Sequence, residues 1–412
     1  MKNIASSLLV ASAVNGVALA APAGQDASLN KRLQNGLGTT PALGYNNWNN
    51  GGCSHATADS ALSVAKLMIS LGLKDAGYTY LNIDDCWTSK QRNSSGYLQP
   101  DPAKWPQGMK PVVDQIHSMG LKFGLYGDAG IMTCAGYPGS QGYEVKDAKT
   151  LGSWGIDYWK HDACYLPCVT GGTPQTCWDS RSSTKPYYAT MRDALAQAGY
   201  PILFSMCQWG RDSVWTWAKD YGNSWRMSGD IQNNWASVAS IADKAAGIAQ
   251  SAGPGGFNDL DMLQVGNGKL TENEERAHVG LWMIAKSPIL IGTDLSKLSQ
   301  SSLTILKNKA LIAINQDSLG KAASYFTPSG QPKPVSGQLY PYWAGPLSDG
   351  VVVGLVAANG AATLSANFSD VPGLGSGSFT WTEVFTGATG TGTSVSAQLG
   401  AHDMRIYKVT KS

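Results

Sequence analysis

The run WGIDYWKHDAC at residues 154–164 sets a lysine and an aspartate two positions apart, Lys160 and Asp162. Ile156, Tyr158 and Trp159 favour extended backbone and Gly155 bounds them, so the run reads as a buried strand ending in a polar cluster. Side chains alternate along a strand, which puts Lys160, Asp162 and Cys164 on one face and Trp159 and His161 on the other. A carboxylate beside an ammonium is held ionised, the state required of a nucleophile or of a substrate-binding carboxylate. A structural Lys–Asp pair at a strand end has the same pattern, and the stretch by itself leaves both open.

Seven further apolar runs end in polar residues: GYNNW (44–48), YLNIDDCW (80–87), FGLYGDAG (123–130), ILFSMCQW (202–209), SWRMSGD (224–230), GGFNDLDML (255–263) and PILIGTDL (288–295). Together the eight ends carry Trp48, Asp84, Asp85, Tyr126, Asp128, Lys160, Asp162, Gln208, Trp209, Arg226, Asp230, Asp259, Asp261 and Asp294. This is a set of carboxylates, aromatics and two cations with hardly a histidine. No Cys-x-x-Cys or His-rich spacing is present, so neither a metal nor a cofactor is expected. Carboxylate pairs without histidine or metal suit cleavage of a glycosidic bond.

Helical periodicity fills the intervals. Thr57 caps DSALSVAKLMISLGLKDAG, Pro106 opens QGMKPVVDQIHSMG, and KDAKTLGSWG, KPYYATMRDALAQAG, DSVWTWAKDYG and ASVASIADKAAGIAQ follow, with Thr271 capping ENEERAHVGLWMIAK. Parallel strands need crossover helices, so the alternation predicts an α/β fold, a (β/α)8 TIM barrel over 33–322 with its functional residues at the C-terminal strand ends. An open doubly wound sheet is the alternative, but no Gly-x-Gly-x-x-Gly follows the first strand. From about residue 325 alternating runs such as YPYWAG, GVVVGLVAA and SFTWTEVF lie between Gly, Ser, Thr and Pro clusters, which predicts a C-terminal antiparallel β-sandwich over 323–412.

The 412 residues suit one large barrel with an accessory domain. Lys2, the apolar stretch Ile4 to Ala20 and the small residues after it fit a signal peptide over 1–20. A polar stretch closing in Lys31-Arg32 fits a propeptide over 21–32, and the product is then secreted. Removing these 32 residues takes three bases and one acid from 31 and 29, leaving 28 of each, so nothing points to nucleic acid or a membrane surface as partner. Charged residues are sparse at 15%, whereas Trp (14) and Gly (48) are plentiful, a texture that sugar binding often has, although most single Trp belong to cores. Seven cysteines in a secreted chain imply disulfides with one thiol left over. Cys168 and Cys177 close a short loop of their own, and Cys207, inside an apolar run, is the natural free thiol. Asn93 and Asn367 head Asn-x-Ser sequons.

In order and spacing, LGYNNW, NIDDCW, LYGDAGIMTCAGYPGSQGYE, WGIDYWKHDAC, CQWG, SWRMSGD and NDLDMLQVGNG resemble family 27 of the glycoside hydrolases, the α-galactosidase and α-N-acetylgalactosaminidase family. The resemblance covers nearly all of the chain after residue 32, the C-terminal β domain included. It implies a retaining double displacement with Asp162 as nucleophile, Lys160 binding sugar hydroxyls beside it, and Asp230 as acid/base with a raised pKa. Arg226, Ser228 and Asp230 share a face by alternation. Asp84 and Asp85 resemble a clamp on the hydroxyls around C4 and C6. Neighbouring strand residues face opposite ways, so both reach one ligand only where the strand is ending; one ligand and one structural acid is the alternative.

Further implied by the resemblance are Trp48 and Tyr126 as subsite walls, a tie from Cys86 to Cys53, and a Cys134–Cys164 disulfide against the sugar. Asp261 would border the site or serve the loop. Gln208 and Trp209 would fill the space that an N-acetyl group needs, favouring a free 2-hydroxyl. His161, Ala163 and Gln208 depart from the residues many relatives have, and His161 is expected to pack into the helix layer. The implied activity is release of terminal α-linked galactose from oligosaccharides or galactomannan side chains. A β-L-arabinopyranosidase and a catalytically silent galactose-binding protein are the alternatives.

Overall fold

The computed structural model describes residues 35–166 and 183–411. The expected signal peptide and propeptide, and Cys168 with Cys177, lie outside the described residues.

Eight strands lie parallel: β1 (Leu43–Asn46), β2 (Tyr80–Asn82), β3 (Lys122–Asp128), β4 (Tyr158–Asp162), β5 (Leu203–Met206), β6 (Ser224–Arg226), β7 (Phe257–Asp259) and β8 (Ile289–Ile291). Their order is β7-β6-β5-β4-β3-β2-β1-β8. Sequential neighbours pair throughout, with β8 returning to β1. The last seam closes beyond the end of β7, where the Leu263 amide donates to the Leu290 carbonyl at 2.8 Å. Asp261 stands at φ 82° between β7 and that contact, and this kink carries the chain back into parallel register.

Between the strands lie α1 (Ala58–Ser70), α2 (Met109–Ser118), α3 (Glu144–Trp154), α4 (Lys185–Leu195), α5 (Trp235–Gly247) and α6 (Glu272–Ile284), with α7 (Gln300–Leu306) and α8 (Lys309–Asn315) after β8. Their starts are chemically marked. The side chains of Thr57 and Asn234 accept from the amides of Ser60 and Ser237, and Thr271 with Glu274 forms a full capping box. Two expectations fail. The helix after Pro106 starts only at Met109, and DSVWTWAKDYG forms two short 3-10 turns, Arg211–Thr216 and Ala218–Asp220. Asp212 and Ser213 take φ of 51° and 44° there, which breaks any helix, while Trp217 packs against Tyr188 and Tyr221. Tertiary packing of the aromatics overrides the local periodicity.

The C-terminal strands are β9 (Ser324–Tyr325), β10 (Tyr342–Leu347), β11 (Gly350–Val356), β12 (Ala362–Asn367), β13 (Phe379–Glu383), β14 (Thr389–Gly392), β15 (Ser394–Leu399) and β16 (Met404–Lys411). They form a six-stranded antiparallel sheet, β14-β13-β16-β11-β10-β9, and a two-stranded sheet of β12 and β15. Val353, Leu355, Ala366, Phe368, Val395 and Val409 fill the space between them. The domain docks on α6, where Gly280 lets β16 approach so closely that a Cβ would lie 2.9 Å from Ile406 and Met404 side-chain atoms. Arg276 pairs with Asp403 at 2.8 Å and Trp235 stacks on His402 at 4.7 Å.

The N-terminal end of the barrel is plugged by Ala42, Tyr80, Tyr158 and Leu203. Only the C-terminal end, where the polar residues stand, is left to be carved.

Candidate active site

A cavity of about 510 Å³ opens at that end. Its construction follows from strand register. Tyr126 pairs with Lys160 and Asp128 with Asp162 across β3 and β4, so these side chains share one face, and the Tyr126 hydroxyl donates to Asp162 Oδ2 at 3.1 Å. Trp159 and His161 take the other face, where Trp159 Nε1 donates to His161 Nδ1 at 3.0 Å. Burial among aromatic rings pushes the His161 imidazole down to about 3, so it is neutral.

Strand β2 ends at Asn82, and beyond it both Asp84 and Asp85 turn into the cavity. Asp84 accepts from Asn46 Nδ2 at 2.8 Å and from Lys160 Nζ at 2.7 Å, while its amide donates to Asn47 Oδ1. Asp85 accepts from the amides of Cys86 at 2.7 Å and Ala135 at 2.9 Å. Burial still raises the Asp85 carboxyl, against the opposing hydrogen bonds from Ala135 and Thr133. Cys86, at φ 76°, is tied to Cys53 with Cα atoms 5.1 Å apart, which pins this strand end.

Lys160 therefore neutralises Asp84 rather than sitting as the direct partner of Asp162. Asp162 is 5% exposed and accepts from the Ala163 amide at 2.9 Å as well as from Tyr126. Burial raises its carboxyl to about 6, with the Lys160 charge and the Ala163 amide acting the other way. Asp230 behaves oppositely. It stands at the mouth with its side chain 74% exposed, bonded to Arg226 Nη2 at 2.8 Å. Burial would raise its carboxyl, but the Arg226 charge and hydrogen bond outweigh that and hold it below the ordinary aspartate value. The expectation of a raised Asp230 beside an Asp162 held ionised by Lys160 is thus reversed: Asp162 is raised and Asp230 lowered.

Arg226 is the hub of the far wall. Its Nη2 also reaches Asp261 Oδ2 at 2.8 Å, and Asp261 accepts from the Ile231 amide at 2.9 Å. Asp261 thus holds both the guanidinium and the segment that carries Asp230. Trp48, Tyr126, Cys134 and Trp209 line the cavity as well.

Two residues expected at the substrate do not line it. Gln208 is fully buried behind the wall, its Nε2 donating to Thr184 Oγ1 at 3.0 Å. Lys160 pairs with Ser205 across β4 and β5, so alternation turns Cys207 inward and Gln208 outward; reading residues 207–210 as one block overlooked this. Trp209, at φ 62°, swings back into the cavity. Cys164 is bonded to Cys134, Cα atoms 5.2 Å apart, but only Cys134 faces the cavity, and the Cys164 amide donates to buried Asp128. Asp128, Asp162, Cys134 and Cys164 cluster as metal ligands would, yet the two sulfurs are joined to each other. Among the described residues Cys207 is the free thiol, and it lines the cavity floor near Arg226 Nη1. Asn49, Gln232, Asn233, Gln264 and Asn267 also line it and were not anticipated. They follow strand ends by several loop residues, where no periodicity indicates direction.

Residues 40–317 match the family model described as Alpha galactosidase A, and residues 337–409 match Alpha galactosidase C-terminal beta sandwich domain. An alpha-galactosidase of Lachancea cidri is 42% identical over 364 residues, covering 82% of this chain and 75% of that protein. Among solved structures, alpha-galactosidase I from Mortierella vinacea superimposes with a TM-score of 0.83 at 36% identity, covering 92% of this chain and 99% of that one. The alpha-galactosidase of Saccharomyces cerevisiae, solved with raffinose, gives a TM-score of 0.81 at 31% identity over 93% of this chain and all of that one.

Proposed function

The chain belongs to the α-galactosidase family, glycoside hydrolase family 27, and from that premise we propose that it is a retaining exo-α-galactosidase with Asp162 as nucleophile and Asp230 as acid/base. The observation that carries this reading is the unlike placing of two carboxylates on one cavity, one deep and one at the mouth. A terminal sugar entering a cavity sealed below meets the deep carboxylate at its anomeric carbon, and its leaving oxygen stays at the mouth.

In the first step an Asp162 oxygen bonds to the anomeric carbon while the glycosidic C–O bond breaks and Asp230 gives its proton to the departing oxygen. In the second, Asp230 takes a proton from water, whose oxygen displaces Asp162. The two inversions return the original anomer. The electrostatics support these roles once the cavity is filled. A sugar displaces water from around Asp230 and raises its carboxyl toward the acid form, while Tyr126 and Ala163 keep donating to Asp162. Esterification then removes the Asp162 charge, which favours ionised Asp230 for the base step.

Asp84, Asp85 and Lys160 at the deep end supply acceptors and a donor for sugar hydroxyls, and Trp48, Tyr126 and Trp209 supply the walls. Terminal α-1,6-linked galactose, as in raffinose or the branches of galactomannan, is the substrate this reading favours. Secretion fits the two disulfides found among the described residues, the exposed sequons at Asn93 and Asn367, and the signal-like residues 1–20. Among the described residues no helix is long and apolar enough to cross a membrane.

The test is hydrolysis of p-nitrophenyl α-galactoside with the first-formed anomer followed by proton NMR; α-galactose is expected. Asp162→Gly should lose turnover by roughly 10³-fold or more and, given azide, release β-galactosyl azide. Cleavage of p-nitrophenyl β-L-arabinopyranoside in preference to the galactoside would overturn the sugar assignment, and azide rescue at Asp230→Gly with inversion would exchange the two roles.

A further inference from the structure

A second cavity of about 360 Å³ lies on the outer side of the loops that build the first. The loop after β2 turns Asp84 and Asp85 inward and presents Lys90, Gln91 and Arg92 to this second space; the loop after β3 turns Cys134 inward and presents Ile131, Tyr137 and Tyr143. Cys134 lines the first cavity and Gly136 the second. Two Cα steps separate these residues, so the two linings come within about 7.6 Å of each other.

The surface around it is unusual for this molecule. Of eight large apolar side chains that stand exposed among the described residues, Tyr97, Ile131 and Tyr143 sit on these two loops, Ile131 at 55%, and Trp48 sits at the first cavity. Exposed apolar groups gathered at one concavity mark a binding surface. The chemistry of the lining selects a neutral, hydroxyl-bearing ligand. Both amino groups of Arg92 are committed, to Asp147, Gly96 and Gly139, and its guanidinium stacks on Tyr143 at 4.2 Å. Lys90 lies over the Tyr137 ring at 3.4 Å and donates to the Ala135 carbonyl. Gln91 stands exposed at the lining, and one acceptor is recessed: Gln141 Oε1 is buried there without a hydrogen-bond partner, a position that a ligand O–H would satisfy.

We propose that this cavity holds a sugar ring from the main chain of a branched galactoside polymer, while a galactosyl branch of the same molecule occupies the first cavity. The shared loop wall gives the occupant its continuity with the reaction site, and the proposal rests on the exo-galactosidase reading above. A second copy of this chain would cover the apolar residues but would leave the recessed acceptor unanswered.

The test compares wild type with Ile131→Asp and Gln141→Ala, both placed away from the first cavity. On galactomannan the variants should raise KM about five- to tenfold with kcat held, while KM and kcat on p-nitrophenyl α-galactoside stay within about twofold. In native gels containing soluble glucomannan, which has no galactosyl branch to enter the first cavity, the wild type should be retarded and the variants should not. Equal losses on both substrates, or a wild type that glucomannan does not retard, would overturn the proposal. So would a concentration-dependent dimer in sedimentation that Ile131→Asp disperses, because the face would then belong to a second copy. A wild type inactive on the aryl galactoside would strike the activity reading instead, since retardation by glucomannan needs no turnover.

Discussion

Replacing Tyr126 by phenylalanine removes one hydroxyl and leaves the ring that walls the cavity. In the folded protein that hydroxyl lies 3.1 Å from Asp162 Oδ2 and 3.3 Å from Cys134 Sγ. The carboxylate is the better acceptor, so the proton should lie toward Asp162 and stabilise its ionised form. A hydrogen bond to a charged, buried acceptor is worth about 1.5–3 kcal/mol, and a pKa moves one unit per 1.36 kcal/mol, so the loss should raise the Asp162 carboxyl by roughly one to two units. From about 6 in the intact protein, it should reach the neutral range or just above. Because kcat/KM follows the ionisation of the free enzyme, in which Asp230 titrates below Asp162, the Asp162 value near 6 forms the basic limb on p-nitrophenyl α-galactoside and should shift upward in Tyr126→Phe by that amount. Activity well above the new limb should fall much less than activity at pH 5. A limb that stays put would mean that the hydroxyl serves Cys134 instead. A limb that moves down would refute the account of Asp162 as a carboxylate raised by burial and held by donors.

Three further outcomes follow from the same contacts. Arg226→Met leaves Asp261 buried without its cation, so stability should fall by about 3–5 kcal/mol in chemical denaturation, and the carboxyl of Asp230, released from Arg226, should rise and carry the acidic limb of the kcat/KM profile upward. Glu274→Gln keeps an acceptor oxygen for the capping box but removes the negative charge to which Thr271 and, at 2.7 Å, His402 are hydrogen-bonded. Although burial acts upward, hydrogen bonds from Thr271 and His402 hold the Glu274 carboxyl below 4.5 when folded, so its stabilisation is present above that value and lost as pH falls through the folded pKa; the variant should be about 1 kcal/mol less stable near pH 6 and converge on wild type in acid. Opening the Cys53–Cys86 bridge by a double alanine change frees a 33-residue separation and should cost about 3–4 kcal/mol on loop entropy, measurable as a lower Tm, and should weaken galactose binding because Asp85 precedes Cys86 directly.

The eight strand positions were legible because each is a short apolar run broken by polar residues, and the helix starts at Thr57 and Thr271 because a side-chain oxygen there caps free amides. Asp84, Asp85, Tyr126, Lys160, Asp162 and Arg226 could be read as one group for the same reason: they end parallel strands, and parallel strand ends of a barrel converge. The helix assigned to DSVWTWAKDYG failed because packing of Trp217, rather than periodicity, decides that segment. Gln208 was misplaced because alternation along β5, traceable from register with β4, turns it away.

The amino-acid sequence by itself determined the barrel, the β domain after it and the carboxylates available at the strand ends, since these depend on local patterns of burial, capping and alternation. Only the tertiary structure decided which charge answers which. Lys160 and Asp162 lie on one face of one strand, yet Lys160 bonds to Asp84 from the neighbouring region, and Arg226 divides itself between Asp230 and Asp261. Those pairings join residues far apart in the chain, and burial, which sets the direction of each pKa, is a property of the assembled cavity that no local spacing encodes.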